Sequence, residues 1–261
     1  MRGYLVLAQG DYIRHAELLA KSIKATQSAV SQISVITDQP CDYSLFDRVI
    51  ALPNIDLSQG SNWKIHNRAY FYDLTPYTET VILDADMIFL DDVSHWWTLM
   101  ARYDLLITDR VKTYKNTWVT YNPYRKAFKN NSLPNLYSAF CYFKKTSTAA
   151  EFFELVKVII TNWEQYSLLY AYNDRQSWPS LDLAFAIAVS ILGLDVSSGL
   201  DYPTFTHMKS GCQGWENYDE RWRTHIACYT NNGRLRLGGS IQTGILHYVD
   251  KELVNELSSL F

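Results

Sequence analysis

The stretch Thr80 to Asp92, TVILDADMIFLDD, constrains this chain more than any other. Val81, Ile82 and Leu83 are the short apolar run of a buried strand. Asp84 and Asp86 follow, separated only by the small Ala85, before apolar residues resume at Met87, Ile88, Phe89 and Leu90. In an extended chain alternate side chains share a face, so both carboxylates could point at one ion. A hard divalent cation takes oxygen ligands, and Mg²⁺ or Mn²⁺ held by one or two carboxylates completes its shell with water and substrate phosphates. One reading is a metal clamp for a nucleoside diphosphate. The other is a plain turn after a strand, where aspartate is common.

The flanking sequence supplies the sheet around such a strand. Gly3 to Ala8 (GYLVLA) reads as a buried strand, and Gln9, Gly10 and Asp11 lead into a helix with Ala16, Leu19, Ala20 and Ile23 at helical spacing. Ile33 to Ile36 is a second strand and Arg48 to Leu52 a third, so the order is that of a right-handed βαβ unit with a mostly parallel sheet. Open parallel sheets bind ligands beyond the carboxyl ends of their strands. That rule sets Ala8 to Tyr12, Thr37 with Asp38, and Asp84 with Asp86 along one rim. Trp63 to Leu74 reads as a helix with Ile65, Ala69 and Tyr72 inward, and Leu105 to Thr108 and Leu136 to Phe143 as further strands.

Between those last two strands, Asp109 to Asn135 reads as one long irregular segment, and loops of this length are usually functional or disordered. It carries Arg110, Lys112, Lys115, Arg125, Lys126 and Lys129 among Tyr114, Trp118, Tyr121, Tyr124 and Phe128. Cations alternating with aromatics suit an unstacked nucleotide or a sugar chain, and equally a solvated loop pinned by its rings. Further on, Phe152, Val156, Ile159 and Trp163 predict one amphipathic helix. Ala184, Ile187, Ala188 and Ile191 predict a second, which Asp182 either caps or leaves for the reaction centre. Tyr202 to Gly239 reads as loops, and Ile245 to Val249 (ILHYV) as a short apolar element around His247.

The 261 residues carry a formal net charge of -3, which gives no global attraction to polyanions. Cys41, Cys141, Cys212 and Cys228 lack metal-site spacing and read as reduced thiols. No run approaches a membrane span and no secretory signal opens the chain, so the expectation is a soluble cytoplasmic protein without membrane insertion.

With these positions in hand, the sequence resembles the GT-A glycosyltransferases, in pattern the glycogenin and bacterial galactosyltransferase group of retaining enzymes. The matching pieces are YLVLAQGDYIRHAELLAKSIKAT, NWKIHNRAYFYDL, VILDADM, LYSAFCYFKKT, the helix opened by Asp182, and ILHYV. The resemblance implies an α/β fold with a Rossmann-like, mostly parallel sheet in one domain. Residues 1–108 would form its nucleotide-sugar half and 109–261 its acceptor half. It implies a nucleoside-diphosphate sugar donor and Mn²⁺ or Mg²⁺ held by Asp84, Asp86 and His247. Ala8, Gln9 and Tyr12 would cradle the base and Asp38 would accept from ribose or base. Lys64, Ala85, Ser138 and Lys251 would meet the rest of the donor, and Asp182 the reaction centre. Two places depart from the pattern. Ser138-Ala139-Phe140 lacks the acceptor-strand glycine, and Asp250-Lys251-Glu252 stands where a Lys-Pro-Trp is usual.

LVLAQ and SIKATQ are also similar, more loosely, to glycosyltransferases of T-even-type bacteriophages, some of which add sugars to hydroxymethylated bases of their own DNA. That likeness implies a DNA acceptor contacted by Arg110, Lys112, Lys115, Trp118, Tyr121, Tyr124, Arg125 and Lys126, in a host cytoplasm. The alternatives are a carbohydrate or cell-surface acceptor, and a non-catalytic nucleic-acid-binding module. A nucleotidyltransferase would need a Gly-rich basic first loop, and Ala8-Gln9-Gly10-Asp11 is poor for that.

Overall fold

The computed structural model describes residues 1–52, 64–120, 125–209 and 222–261; for Lys64 and Ile65 it describes the backbone alone. The apolar runs of the N-terminal part become neighbouring parallel strands. These are β1 (Arg2–Ala8), β2 (Ile33–Thr37), β3 (Arg48–Ala51) and β4 (Glu79–Leu83). Helix α1 (Tyr12–Thr26) joins β1 to β2 and buries Ala16, Leu19, Ala20 and Ile23, the periodic positions of its sequence. Gly3 is required where β1 passes Tyr77, because a Cβ there would lie 2.3 Å from the ring.

Strand β4 continues through a turn into β5 (Met87–Phe89), and α2 (Phe71–Leu74) and α3 (Trp96–Met100) stand on either side of this pair in the chain. Beyond β4 the main sheet changes direction: β6 (Leu105–Thr108) and β7 (Tyr137–Lys144) add antiparallel, giving the order β3-β2-β1-β4-β7-β6. One face packs on α5 (Ser147–Thr161) and α7 (Leu181–Leu192) through Phe152, Phe153, Val156, Phe185 and Ile187. The other face packs on α1 and α3. Val6 pairs with Leu83 and Ala8 with Thr37, so Gln9, Asp38 and Asp84 leave the sheet at the same end.

A second sheet completes the site. Strands β8 (Thr206–His207) and β12 (Ile245–His247) lie beside β5 in the order β5-β12-β8, with His247 opposite both Met87 and His207. The Tyr248 amide donates to the Asp86 carbonyl at 3.1 Å, fixing His247 beside the aspartates.

Several elements differ from the sequence reading. Trp63 to Leu74 is not one α-helix: Lys64–Tyr70 winds as a 3₁₀ segment before α2, and His66, Asn67, Arg68 and Ala69 are all buried. Trp163 starts a separate helix, α6 (Trp163–Tyr170). Asp109 to Asn135 is not irregular throughout, since Lys112 bridges Trp118 and Thr206 and α4 (Lys126–Asn130) forms within it. Tyr202 to Gly239 holds more than loops. There β9 (Cys228–Asn231) and β10 (Arg234–Leu237) form, and with β11 (Ser240–Ile241) just beyond it they make an antiparallel sheet. Asn232 and Gly233 both take positive φ at its first turn, the backbone a tight hairpin needs, and Leu235 and Leu237 point inward.

Cys41, Cys141 and Cys228 are free thiols; Cys212 lies outside the described residues. Among the described residues no helix is long and apolar enough to cross a membrane.

One buried contact ties α1 to the metal-side strand: His15 Nδ1 lies 2.6 Å from the Tyr248 hydroxyl. Burial lowers the His15 pKa from 6.5 to about 4, so the folded protein resists its protonation while the unfolded chain accepts it. Stability should fall as pH drops from 6.5 toward 4, by about 2 kcal/mol at pH 5 from this group. Denaturant unfolding at pH 7 and pH 5 checks it: the drop should shrink in His15→Gln by about that amount.

Candidate active site

Ala85 and Asp86 occupy a turn after β4, not the extended strand end that the sequence suggested. The turn still brings both carboxylates to His247. Ligand atoms of Asp84, Asp86 and His247 all lie within 4.8 Å of one another. His247 Nε2 is 3.6 Å from Asp84 Oδ2 and 3.2 Å from Asp86 Oδ1. The other oxygen of each carboxylate is engaged by a cation. Arg68 Nη1 sits 2.5 Å from Asp84 Oδ1, and the Lys251 ammonium contacts Asp86 Oδ2. One oxygen per carboxylate is thereby turned toward the imidazole and the other held from outside, as outer partners orient metal ligands.

The electrostatics favour a cation between these groups. Burial works against charge on Asp86, but His247 and Lys251 outweigh it and hold the carboxyl well below its usual range. On His247 burial opposes the proton, and the Asp86 and Asp84 carboxylates overcome it, raising the pKa above 6.5. Two carboxylate oxygens and an imidazole nitrogen facing one point suit a divalent metal that accepts mixed oxygen and nitrogen donors.

The triad opens on a cavity of about 520 Å³. Its floor is Leu83 to Asp86, and Leu7, Gln9, Gly10, Tyr12 and Asp38 form one wall. Tyr137, Ser138, Ala139, Trp178, Ser180, Leu181 and Asp182 also line the cavity, as do His207, Lys209 and His247. On the first wall Asp38 Oδ1 accepts the Gly10 amide at 3.0 Å, and Lys251 lies over the Tyr12 ring at 4.7 Å. The Ala8 side chain is fully buried in the core and does not line the cavity; Leu7 and Gln9 do. The Lys64 side chain lies outside the described residues.

Asp182 does not cap its helix. Ser180 does, accepting the Leu183 amide on its hydroxyl, and Gly193 closes α7 at φ 62°. The Asp182 carboxylate instead receives the Ser138 amide at 2.8 Å and hydroxyl at 2.6 Å on one oxygen, and Arg125 Nη1 at 2.6 Å on the other. Burial would raise its pKa, but Arg125 and Ser138 prevail and keep it ionised below the usual range. Leu183, the next residue, is fully buried and apolar.

Arg125 therefore departs from the exposed role expected of it. Its guanidinium is buried, bonded to Asn135, Leu136 and Asp182, and stacked between Phe128 at 4.2 Å and Tyr137 at 3.8 Å. Arg110 and Lys112 cover Trp118 at 4.8 and 5.0 Å, and Arg110 also donates to the Leu200 carbonyl at 2.7 Å. Arg110, Lys112, Lys115, Trp118 and Lys126 are not among the residues lining the cavity, and Tyr121 and Tyr124 lie outside the described residues.

Sequence reasoning missed Arg68 and His207. Arg68 bonds Asp84 and donates to the Ser138 carbonyl at 3.1 Å, spanning the floor of the cavity. A signal was present, because Arg68 lies one α-helical turn from Lys64 in a polar run just before the metal motif.

No family model and no curated protein sequence matches this chain. Solved structures do. The galactosyltransferase LgtC, in complex with donor and acceptor sugar analogues, aligns over 99% of this chain and 95% of its own, at TM-score 0.58 and 10% identity. An active-site mutant of LgtC aligns over 100% of this chain and 95% of its own, at TM-score 0.54 and 9% identity. Mouse xyloside xylosyltransferase 1, in its apo form, aligns over 95% of this chain and 97% of its own, at 0.54 and 10%. The fold is that of the GT-A glycosyltransferases, in a single domain.

Proposed function

We propose that this protein is a metal-dependent glycosyltransferase that uses a nucleoside-diphosphate sugar. The observation carrying this reading is the convergence of Asp84 Oδ2, Asp86 Oδ1 and His247 Nε2 at the floor of a cavity. A mixed donor set with an imidazole suits Mn²⁺ better than Mg²⁺, which prefers oxygen alone. When bound, the metal would supply Lewis-acid stabilisation of the charge that builds on the leaving diphosphate. The chain's own groups do the rest. Arg68 and Lys251 orient the two carboxylates, and Lys251 is near enough to the metal floor to meet a phosphate oxygen. Tyr12 and Gln9 face the base, and Asp38 holds the Gly10 turn against which it would rest. Asp182, locked ionised by Arg125 and Ser138, accepts a hydroxyl of the donor sugar and so fixes the anomeric carbon. Residues 1–108 accordingly form the donor side and much of 109–261 the acceptor side. Retention of anomeric configuration belongs to the same reading on the strength of the sequence pattern.

The acceptor we infer is a carbohydrate hydroxyl. Trp178 lines the cavity while 40% exposed, and an indole face beside a sugar site is a stacking platform for a second sugar. The DNA acceptor is disfavoured by the burial of Arg125 and by the covering of Trp118 with cations of its own loop. A thermal-shift screen of UDP-, GDP- and CDP-sugars with Mn²⁺ tests the donor reading: one should stabilise the protein, and none doing so contradicts it. With that donor, Trp178→Ala should raise the acceptor KM about tenfold at unchanged donor KM. Efficient transfer to hydroxymethylated DNA, unaffected by Trp178→Ala, would return the acceptor to nucleic acid.

A further inference from the structure

His207 is absent from every motif of the sequence reading, yet it stands against the metal triad. Strand β8 runs parallel to β12 with His207 paired to His247, and the two rings stack at 4.8 Å and 23°. The His207 amide donates to the Lys112 carbonyl at 2.9 Å, which anchors the strand from its other edge. The ring is also flanked by Tyr137 and Phe205, each at 5.7 Å. These contacts leave the imidazole little freedom to turn.

Its tautomer follows from one hydrogen bond. The Lys209 backbone amide donates to His207 Nδ1 at 3.2 Å. An amide N–H can only donate, so Nδ1 carries a lone pair and the ring proton resides on Nε2. That N–H belongs to a residue lining the cavity, and no protein group accepts it among the described residues. A fixed, neutral donor thus lies one ring-stack away from the imidazole that faces Asp84 and Asp86. The groups facing it across the floor are acceptors of cations, while a phosphate bound above that floor would offer oxygens.

We propose that His207 is a donor-binding residue whose Nε2–H hydrogen-bonds a phosphate oxygen of the nucleoside diphosphate. The assignment rests on the donor reading of the cavity given above. It separates two tasks on adjacent strands: His247 would offer a lone pair to a metal held with the aspartates, and His207 turns a hydrogen toward the ligand. Because the donor is neutral, it adds direction to diphosphate binding without adding charge to a floor that already holds Arg68 and Lys251.

The test is titration calorimetry of UDP, GDP and CDP, and of the matching nucleosides, in Mn²⁺. His207→Phe keeps a stacked ring and removes the donor; His207→Gln restores an N–H without the ring. His207→Phe should weaken the diphosphate about tenfold, the size of one hydrogen bond to a charged group, and leave the nucleoside unchanged. His207→Gln should recover most of that loss. Diphosphate affinity in His207→Phe equal to wild type overturns the proposal, as does a Gln variant no better than Phe, which would make the ring a packing element only. Should wild-type protein bind none of the three diphosphates, the donor reading fails and this assignment falls with it.

Discussion

Asp84→Asn and Asp86→Asn are each expected to lower transfer by more than about 100-fold while the protein stays folded. The loss should exceed that scale because even the outer partners of a metal site cost about 10–100-fold when removed, and here the ligand itself is changed. The fold should survive because asparagine keeps the shape and an oxygen acceptor. Asp84→Asn leaves the buried Arg68 guanidinium, 3% exposed, with a hydrogen bond but no countercharge and so costs stability, whereas the partners of Asp86 have outlets. His247 can shed its proton, and Lys251, with a side chain 35% exposed, can reach water. Circular dichroism and a sugar-transfer assay with and without chelator check this together. Either variant at full activity, or wild-type activity that survives chelation, would remove the metal from the account.

Arg125 carries the second large effect, on stability. Its guanidinium is 5% exposed and holds Asp182, Asn135 and Leu136 at once. Removing one partner of a buried pair leaves the other charge uncompensated, a cost of about 3–5 kcal/mol. Arg125→Leu should therefore lose about that much unfolding free energy, and Arg125→Glu at least as much, since it would place a carboxylate beside Asp182. Lys126→Glu, one residue along on an exposed position, should stay within about 0.5 kcal/mol of wild type. Denaturant unfolding distinguishes them. Equal effects at the two positions would place Arg125 on the surface and return it to the set of acceptor-facing cations.

These two results mark where the sequence was and was not readable. The strands of the first sheet, the periodic face of α1 and the pair Asp84 and Asp86 were legible, because each rests on a pattern local enough to see or on a motif with defined chemistry; His247 was legible only through the family resemblance. What was not legible depends on tertiary partners. Arg125 looks like one cation in a basic loop, and only the fold reveals that Asp182, 57 residues later, closes on it. A helical reading with Ile65, Ala69 and Tyr72 inward leaves Arg68 at the edge of that face and Asn67 on the outside, but the segment winds as 3₁₀ and buries consecutive residues, so the α-helical spacing that sorts faces does not apply. Asp182 was ambiguous because Ser180, Leu181 and Asp182 all sit at a helix entry, and the backbone decides which of two side chains caps. The hairpin of β9 and β10 was readable in principle: Asn232-Gly233 is a strong turn signal flanked by alternating Leu235 and Leu237, and the surrounding Gly and Trp obscured it. His207 carries no motif, and its place is visible only once β8 pairs with β12.

The most direct test of the central claim is the release of nucleoside diphosphate from a sugar nucleotide in the presence of Mn²⁺, measured for wild type and for Asp86→Asn before and after chelation. The account predicts release, accelerated by a carbohydrate acceptor, from wild type alone and only while the metal is present. Release that is undiminished in Asp86→Asn or in excess chelator would contradict it.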